Sequence, residues 1–481
     1  MVSILSSLTS AASALEAFGQ ALDVTQNNVS NSQTPGYASQ TQILNAMPFD
    51  PVDGSTGGVS AGAVVSSRDQ YAEQAVRQQN VLLGQAQQNV TSFTSLQSLF
   101  DISGNSGIPY ALNNLFTSFS AWGQTPTDTN AQQAVINSAT NLANAFQQTA
   151  TGMAQAAQNN SSQIDQTVVQ INRLAGQLAG YNSQAMRAAT PDAGLDAQIN
   201  STLEQLSQYV NFTASQQPDG AVTVLVNGQV PLVMGANTYA LQDQPVAADP
   251  TSPNPGAPPT ISILSSDGTD ITLQVTSGQL GALVNLANNV FPQYLGDGNN
   301  AGDLNTMAQQ FADCVNQALT QGNISDGPPP VAGVPLFTYD TTNATNVAQT
   351  LAVDPTVIAG QLAAISPGPP EVSNGVPLAL SAMADPQSSG DEINGASYTE
   401  FYGNMAAIIG NGLNDATNSQ QIQQSALAQA QNLRQQVSGV SLDAQAAVLL
   451  QFQQAYEANS KLITVLDQLS EDTINMLVVT S

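Results

Sequence analysis

The C-terminal stretch from Leu449 to Leu477, LLQFQQAYEANSKLITVLDQLSEDTINML, decides the fold. Mostly apolar residues recur in it at alternating spacings of three and four. This heptad stripe predicts a long helix packed along another helix. A second row repeats every seven residues and widens the apolar face beyond that of a two-stranded coiled coil. The first row is Leu449, Phe452, Tyr456, Asn459, Ile463, Leu466, Ser470, Thr473 and Leu477, and the second is Val448, Ala455, Leu462, Leu469 and Met476.

The N-terminal segment carries the same spacing and is the expected partner of this helix. Its stripe is Ile4, Leu8, Ala11, Leu15, Phe18, Leu22, Thr25 and Val29. Faces this wide must be buried against several neighbours, in this chain or in another copy. A helical hairpin within one globular domain is the alternative. We predict a terminal domain formed by residues 1–40 with 440–481.

Between the two ends, proline-free segments with apolar residues at three-four spacing predict a body of long helices. Residues 67–101 and 127–190 contain no proline, and Asn159-Asn160-Ser161-Ser162 is the expected interruption of the second segment. Further helices are expected at 195–209, 280–319 and 397–437. The predicted helical body domain comprises residues 60–210 with 276–325 and 395–438.

A small β-rich domain is predicted within this body, at residues 211–275. Alternating valines flank Asn227-Gly228, a pair that tolerates the positive φ angles of a tight hairpin turn. Ile261 and Ile263, with Ile271 and Val275, predict a second hairpin, and the proline-rich stretch before them, from Pro245 to Pro259, predicts an extended loop without regular structure. Residues 326–394 are rich in loops, and their fold stays open. The expected class is α+β, mainly α, with several domains.

Composition excludes several classes of function. The 481 residues include 34 acidic and 6 basic side chains, a formal charge of −28, which disfavours nucleic acid and anionic membranes as partners. Without histidine, Ser-His and Cys-His catalytic groups are impossible, and the single Cys314 cannot form an intrachain disulfide. No apolar run reaches 18 residues, so we expect a soluble chain without a membrane-spanning helix.

The start of the chain does not read as a secretory signal. No Lys or Arg precedes the apolar residues, and serines and threonines interrupt them. If the chain leaves the cell, we expect another route.

A search for sites of chemistry returns only weak candidates. Gly296, Gly298 and Gly302 miss the dinucleotide-binding spacing, and the acidic residues around them lack the remaining ligands of a calcium loop. Asp391 and Glu392 are adjacent and diverge on regular structure, and Cys314 lies on an apolar helical face. We expect no catalytic residue, no cofactor and no metal.

Two motifs resemble the terminal signatures of bacterial flagellar axial proteins. They are Asn27-Asn28-Val29-Ser30-Asn31-Ser32-Gln33-Thr34-Pro35-Gly36-Tyr37, where a helix meets a turn, and Phe452-Gln453-Gln454-Ala455-Tyr456-Glu457-Ala458-Asn459-Ser460-Lys461. The segments 195–234, 280–319 and Ser438-Gly439-Val440-Ser441-Leu442-Asp443 resemble the hook-associated protein 1 family of hook–filament junction proteins. The resemblance extends, with gaps, over most of the chain.

The resemblance implies a structural subunit, not an enzyme, assembled as a homo-oligomer in a ring or helical zone. It implies contacts with the hook protein and with hook-associated protein 3, export through the flagellar type III apparatus to an extracellular flagellum, and a chaperone on the C-terminal helix before export. The axial-family turn would be Asn28, Thr34, Pro35, Gly36 and Tyr37. The implied assembly interface is Ile4, Leu8, Leu15, Phe18, Leu22, Val29, Leu449, Phe452, Tyr456, Ile463, Leu466 and Leu477.

The sequence departs from the family pattern at one place, and two alternative functions stay open. The family usually carries an acidic-Gln-Arg cluster before the hairpin, but Asp196-Ala197-Gln198-Ile199-Asn200 lacks the arginine, which puts any salt bridge of this cluster in doubt. A hook or rod axial subunit is the alternative within the structural class. A secreted hydrolase that uses two carboxylates is the alternative from another class.

Overall fold

Most of the chain is helical in the computed structural model, which describes residues 2–50, 55–101, 105–188, 192–387 and 390–479. A π-helical turn, Leu286–Val290, joins α6 to α7. The predominance of helix over short strands confirms the mainly α, α+β class. The helices are α1 (Val2–Ser30), α2 (Gln70–Gln97), α3 (Gly107–Gln124), α4 (Thr129–Ala185), α5 (Ala193–Ser207), α6 (Gly278–Asn285), α7 (Phe291–Leu295), α8 (Asp303–Gln321), α9 (Val347–Thr350), α10 (Gly375–Ala382), α11 (Tyr398–Ser438) and α12 (Leu442–Val479).

The strands form small antiparallel sheets. The largest has the order β5-β6-β7-β8, and the others pair β1 with β4, β2 with β3, β9 with β10, β11 with β12 and β13 with β14. The strands are β1 (Gln40–Ala46), β2 (Phe49–Asp50), β3 (Ser55–Thr56), β4 (Val59–Ser66), β5 (Phe212–Gln216), β6 (Val222–Val226), β7 (Val230–Met234), β8 (Asn237–Thr238), β9 (Gln242–Val246), β10 (Thr260–Leu264), β11 (Asn323–Ser325), β12 (Val331–Ala332), β13 (Phe337–Thr338) and β14 (Ala352–Val353).

Side-chain caps fix where the long helices begin. The carboxylate of Asp69 accepts from the backbone N–H of Ala72 at the start of α2, and Ser397 forms a reciprocal capping box with Glu400 at the start of α11. At α12 the hydroxyl of Ser441 accepts from the N–H of Ala444 at 3.4 Å. The short break between α11 and α12 therefore lies at residues 439–441.

One hydrophobic core joins α3, the first part of α4, α8 and the start of α11. The ring of Phe311 stands edge-on to that of Tyr398, with centroids 5.2 Å apart, and Trp122 is fully buried beside them. The sequence leaves the fold of residues 326–394 open. Their described parts, 326–387 and 390–394, wrap around this core and bury Leu336, Leu351, Leu362 and Leu380 in it.

A second core packs the β-rich region against α4 and α5. Its members include Ile164, Leu206, Val224 and Ile263. The fully buried Asn182 of α4 donates to the carbonyls of Val222 and Gly235 and accepts from the N–H of Val222 at 2.8 Å. This amide satisfies backbone groups of the sheet from the helix side and fixes the sheet on α4.

Two sequence predictions about these regions are wrong. Helix α4 runs unbroken through Asn159–Ser162, because the amide of Asn160 donates to the carbonyl of Leu283 and the hydroxyl of Ser162 bonds back to Gln158. These polar side chains find partners without interrupting the helix.

The second hairpin is wrong in its extent. Leu264 forms an isolated antiparallel bridge with Asp270, and the carbonyl of Ile263 accepts from the N–H of Ile271 at 2.8 Å, but no strand continues to Val275. Strand β10 pairs instead with β9, whose last two residues, Pro245 and Val246, lie in the stretch predicted to be without regular structure, and Pro245 lies opposite Ile261. Both backbone groups of Ile261 bond to the side chain of Asn288 at 2.8 Å, so the missing N–H of proline leaves nothing unsatisfied there. Residues 272–274 form a single 3₁₀ turn.

Candidate assembly interface

Helices α1 and α12 pack antiparallel along each other. The rings of Phe18 and Phe452 lie 6.2 Å apart between centroids, and the Nδ2 of Asn28 donates to the Oε1 of Gln445 at 3.1 Å. Low residue numbers on α1 therefore lie beside high numbers on α12. We call α1, α12 and strands β1–β4 the terminal unit, and the remaining described elements the body.

The predicted interface residues lie mostly along the seam of this pair. Nine of them are half-buried: Ile4, Leu8, Leu15, Phe18, Leu22, Leu449, Phe452, Ile463 and Leu466. Val29 and Tyr456 are more open, with 40% and 39% of their surface exposed, and the side chain of Leu477 lies outside the described part of the structure. The heptad stripes are thus brought together within one chain, and each keeps part of its surface open.

The other side of α1 is covered by the strands. The hydroxyls of Ser10 and Ser13 donate to the carbonyls of Gly57 and Val59, and the hydroxyl of Thr56 donates to the carbonyl of Ser6. Small side chains allow this close approach, and a buried alanine row runs along the helix: Ala11, Ala14, Ala17 and Ala21. The sequence prediction left residues 41–59 unassigned and placed residues 60–66, which form most of β4, in the helical body.

Several large aliphatic side chains of α12 outside the seam with α1 stay open to solvent. We call this set the open face of α12; its members are Leu450, Leu462, Val465, Leu469 and Ile474, each between 47% and 56% exposed. Exposed aliphatic side chains beside a half-buried seam mark a contact surface.

Asn28 ties the predicted turn to both terminal helices. Its side chain is 1% exposed, donates to the carbonyl of Gln40 at 2.7 Å and to Gln445, and accepts from the N–H of Gln40 and the hydroxyl of Tyr37, each at 2.9 Å. Burial raises the pKa of Tyr37, which keeps its hydroxyl a donor. One amide thus joins the end of α1, the turn and the start of α12.

The remaining turn residues lie between α1 and α5. Thr34 and Pro35 are exposed, and the hydroxyl of Thr34 donates to Asn31. Gly36 has a φ of +75°, and a Cβ there would lie 2.5 Å from the carbonyl oxygen of Ala197, so the turn requires glycine and lies directly on α5.

A buried ionic cluster lies beside the turn. The guanidinium of Arg68 donates to the carbonyl of Gly36 and to Glu73 at 2.6 Å each, and to Asp196 at 2.8 Å. Arg434 bonds Glu73 at 3.3 Å and Glu204 at 2.7 Å. Asp196 therefore has an arginine partner, although its own helix supplies none.

The net charge of this cluster is balanced. Burial lowers the pKa of the nearby Arg77, and the carboxylates of Glu73 and Glu204 oppose that shift. Burial also works against the charge of Arg434, but its ion pairs with these carboxylates raise its pKa overall. Half of the six basic residues thus meet three carboxylates in one place. Sequence analysis missed the cluster, because its charged members come from three segments that are distant in sequence.

The weak chemical candidates do not form sites. Asp297 accepts from the N–H groups of Asn299 and Asn300 and so caps a turn. The Sγ of Cys314 lies 3.6 Å from the hydroxyl of Tyr398 in a half-buried position. Over the described ranges, no three His, Cys, Asp or Glu side chains converge to hold a metal. None of the helices within those ranges is long and apolar enough to cross a membrane.

Three segments of the chain match known protein families. A family described as "Flagellar hook-associated protein FlgK helical domain" matches residues 93–337, about half of the chain. The chain belongs to this FlgK family. At its ends, residues 8–37 match "Flagella basal body rod protein" and residues 433–476 match "Flagellar basal body rod FlgEFG protein C-terminal". The resemblance seen in the sequence is therefore confirmed.

Two relatives match this chain over nearly its whole length. Flagellar hook-associated protein 1 of Bacillus subtilis (strain 168) is 24% identical over 514 residues, covering 99% of this chain and 99% of that protein. The protein of the same name from Escherichia coli (strain K12) is 24% identical and covers 98% and 99%. The flagellar hook junction protein FlgK from Burkholderia pseudomallei has a similar fold, with a TM-score of 0.63 at 16% identity over 76% of this chain and 100% of that chain.

Proposed function

We propose that this chain assembles into the hook–filament junction of the bacterial flagellum through its terminal helices, as a homo-oligomer in a ring or helical zone. Membership in the FlgK family makes it a structural subunit of that junction. The open face of α12 carries the proposal about assembly. Part of the helix surface packs on α1 in the same chain, and the aliphatic side chains outside that seam stay exposed until another protein covers them.

The same face supports the proposed partners. Neighbouring copies would bury it within the junction, whose ends would contact the hook protein on one side and hook-associated protein 3 on the other. Before export through the flagellar type III apparatus, an export chaperone would cover it, because exposed aliphatic rows promote aggregation. The proposed outer layer is the β-rich region 211–275, with the helical body between this layer and the terminal domain.

The test separates the two sides of α12 with neighbouring substitutions. Leu469→Asp charges the open face, Leu466→Asp charges the seam with α1, and Gln468→Asp places the same charge at an exposed polar position as a control. Each variant is expressed in cells that lack the wild-type gene. Filaments are imaged by electron microscopy, and flagellin released into the medium is measured.

We expect Leu469→Asp to keep the wild-type helix content in solution and to yield bare hooks with flagellin in the medium. A charge in an apolar interface costs several kcal/mol. Leu466→Asp, like Phe452→Asp, should also prevent incorporation, while the body stays folded. Gln468→Asp should support normal filaments. Normal filaments with Leu469→Asp would refute assembly through this face.

The rod-type matches at both ends keep a hook or rod subunit as the second candidate. Deletion of the gene separates the two. Bare hooks with leaking flagellin support the junction, whereas loss of the hook would move the chain to the hook or rod class. The proposal assigns no catalytic role, and hydrolysis by the purified chain in a broad screen would contradict it.

A further inference from the structure

The terminal unit joins the body through a narrow polar contact, which we call the waist. It comprises residues 36–39, which follow the turn after α1, residues 66–69, which lead into α2, and residues 438–441, where the chain leaves α11. The carbonyl of Ser438 accepts from the N–H of Ser39 at 2.9 Å and from the hydroxyl of Ser67, whose N–H donates to the carbonyl of Ser39 at 2.8 Å. The hydroxyl of Ser438 accepts from the N–H of Asp69. The two crossings of the chain and the segment that follows the turn after α1 are therefore bonded to one another.

Apolar packing does not extend across the waist. Both hydrophobic cores are built from body residues, and, within the ranges that the structure describes, no helix or strand of the terminal unit packs extensively on one of the body. Clefts of about 590, 310 and 480 Å³ lie around the waist. Orientation of the two parts therefore depends on a few directional polar contacts, with open space on several sides.

Arg68 is the centre of those contacts. It follows β4 directly, and its guanidinium spans the waist from the turn carbonyl of Gly36 to Glu73 on α2 and Asp196 on α5. Its side chain is 9% exposed and that of Glu73 is 5% exposed. A desolvated arginine that bonds three groups through its planar guanidinium fixes both distance and direction between them.

We propose that the waist is a joint and that the Arg68 cluster is the lock that holds its angle. Loss of the Arg68 contacts would let the terminal unit and the body change their relative orientation while each keeps its own fold. This inference rests on the proposed function in one respect, since a joint at this place would let the body adjust to neighbours while the terminal helices stay in register.

The experiment measures the angle in the unassembled full-length chain, by double electron–electron resonance. Spin labels are placed at Thr41→Cys on β1 and Gln166→Cys on α4, both exposed positions, in a Cys314→Ser background. Arg68→Gln removes the lock. Asp196→Asn removes a single ionic partner, and Arg187→Gln is the matched control, since this exposed arginine bonds only to Ser183 in its own helix.

The labelled chain with Arg68 and its Arg187→Gln variant should give one narrow distance distribution. With Arg68→Gln the distribution should widen about twofold, with helix content by circular dichroism unchanged, because two separately folded parts then sample several angles. Asp196→Asn should give an intermediate width. An equally narrow distribution with Arg68→Gln, a broad one in the chain with Arg68 intact, or loss of helix content in both lock variants would overturn the proposal. Because no assembly is involved, this outcome is independent of whether the chain functions at the junction.

Discussion

At the scale of single residues, Asn28 bonds the end of α1 to the turn, to β1 and to the start of α12. Asn28→Asp keeps the acceptors for Gln40 and Tyr37 but removes the donors to Gln40 and Gln445 and buries a charge. We expect local stability to fall by about 1–3 kcal/mol. Hydrogen exchange of the amides at residues 26–42 and 442–450 should then be roughly 5- to 150-fold faster.

The exposed neighbour Asn27 provides the control, because its side chain bonds only to Asn31. Asn27→Asp should change the same amides by less than about 0.5 kcal/mol. Equal effects from both substitutions would mean that the buried amide contributes nothing specific.

Asp243 on β9 gives a prediction about pH. Burial, together with the charge of Asp165, raises the pKa of this carboxyl, so the native state disfavours its charged form. The penalty is fully present above the raised native pKa and vanishes below the unfolded value of 3.8. Asp243→Asn should therefore stabilise the protein at pH 7, by no more than about 0.5 kcal/mol because solvent screens the group, and should have no effect near pH 3.

Asp249 provides the comparison of opposite sign. Hydrogen bonds from the hydroxyl and the N–H of Thr251 lower the pKa of Asp249, so its contribution is present above 3.8 and is lost as the pH falls through the lowered value. Asp249→Asn should not stabilise the protein at pH 7. Thermal unfolding at both pH values checks the pair, and stabilisation by both substitutions at pH 7 would point to net charge instead.

At the scale of helices, the pairing of α1 with α12 can be measured through Phe18 and Phe452. Substituting each with Ala, singly and together, should reveal a coupling of about 0.5–1.5 kcal/mol, as expected for an aromatic pair at 6.2 Å. Leu450→Ala on the open face should show no coupling with Phe18→Ala. Unfolding is followed by circular dichroism, and zero coupling between the rings would place the two helices apart in solution.

The sequence predicted those elements whose signal is local. Heptad spacing located both terminal helices, and Asn227-Gly228 located the β6–β7 hairpin, because each pattern is set by neighbours in the chain. The β9–β10 pairing could not be predicted, since Asn288 supplies the bonds that Pro245 cannot. Spacing also could not tell which side of α12 meets α1, because both apolar rows are long enough to serve.

The ionic cluster lay beyond prediction for a related reason. Arg68, Asp196 and Arg434 are separated by more than a hundred residues in sequence, and only the fold brings them to Glu73. What sequence composition did establish is that bases are scarce. Three of the six are committed to the ionic cluster, which leaves few for contacts between subunits.

At the scale of the whole molecule, this scarcity predicts how assembly responds to salt. The chain carries a formal charge of −28, and Lys461 is the single base between residues 442 and 481. Interfaces built from the open face of α12 therefore gain little from ion pairs. The negatively charged copies repel one another over the Debye length, which salt shortens from about 10 Å at 0.1 M to about 3 Å at 1 M. Raising NaCl from 0.05 to 0.5 M should leave self-association unchanged or slightly stronger.

Sedimentation of the purified chain across this salt range measures the effect, with Lys461→Gln as the control. If apolar burial drives association, the variant should follow the same salt response as the wild type, because its missing charge takes part in no essential pair. A tenfold loss of association in 0.5 M NaCl would instead require ion pairs between subunits. Such pairs would have to use Arg173, Arg187 or Lys461, the bases outside the ionic cluster. Substitution of each with Gln would identify the base that forms the pair.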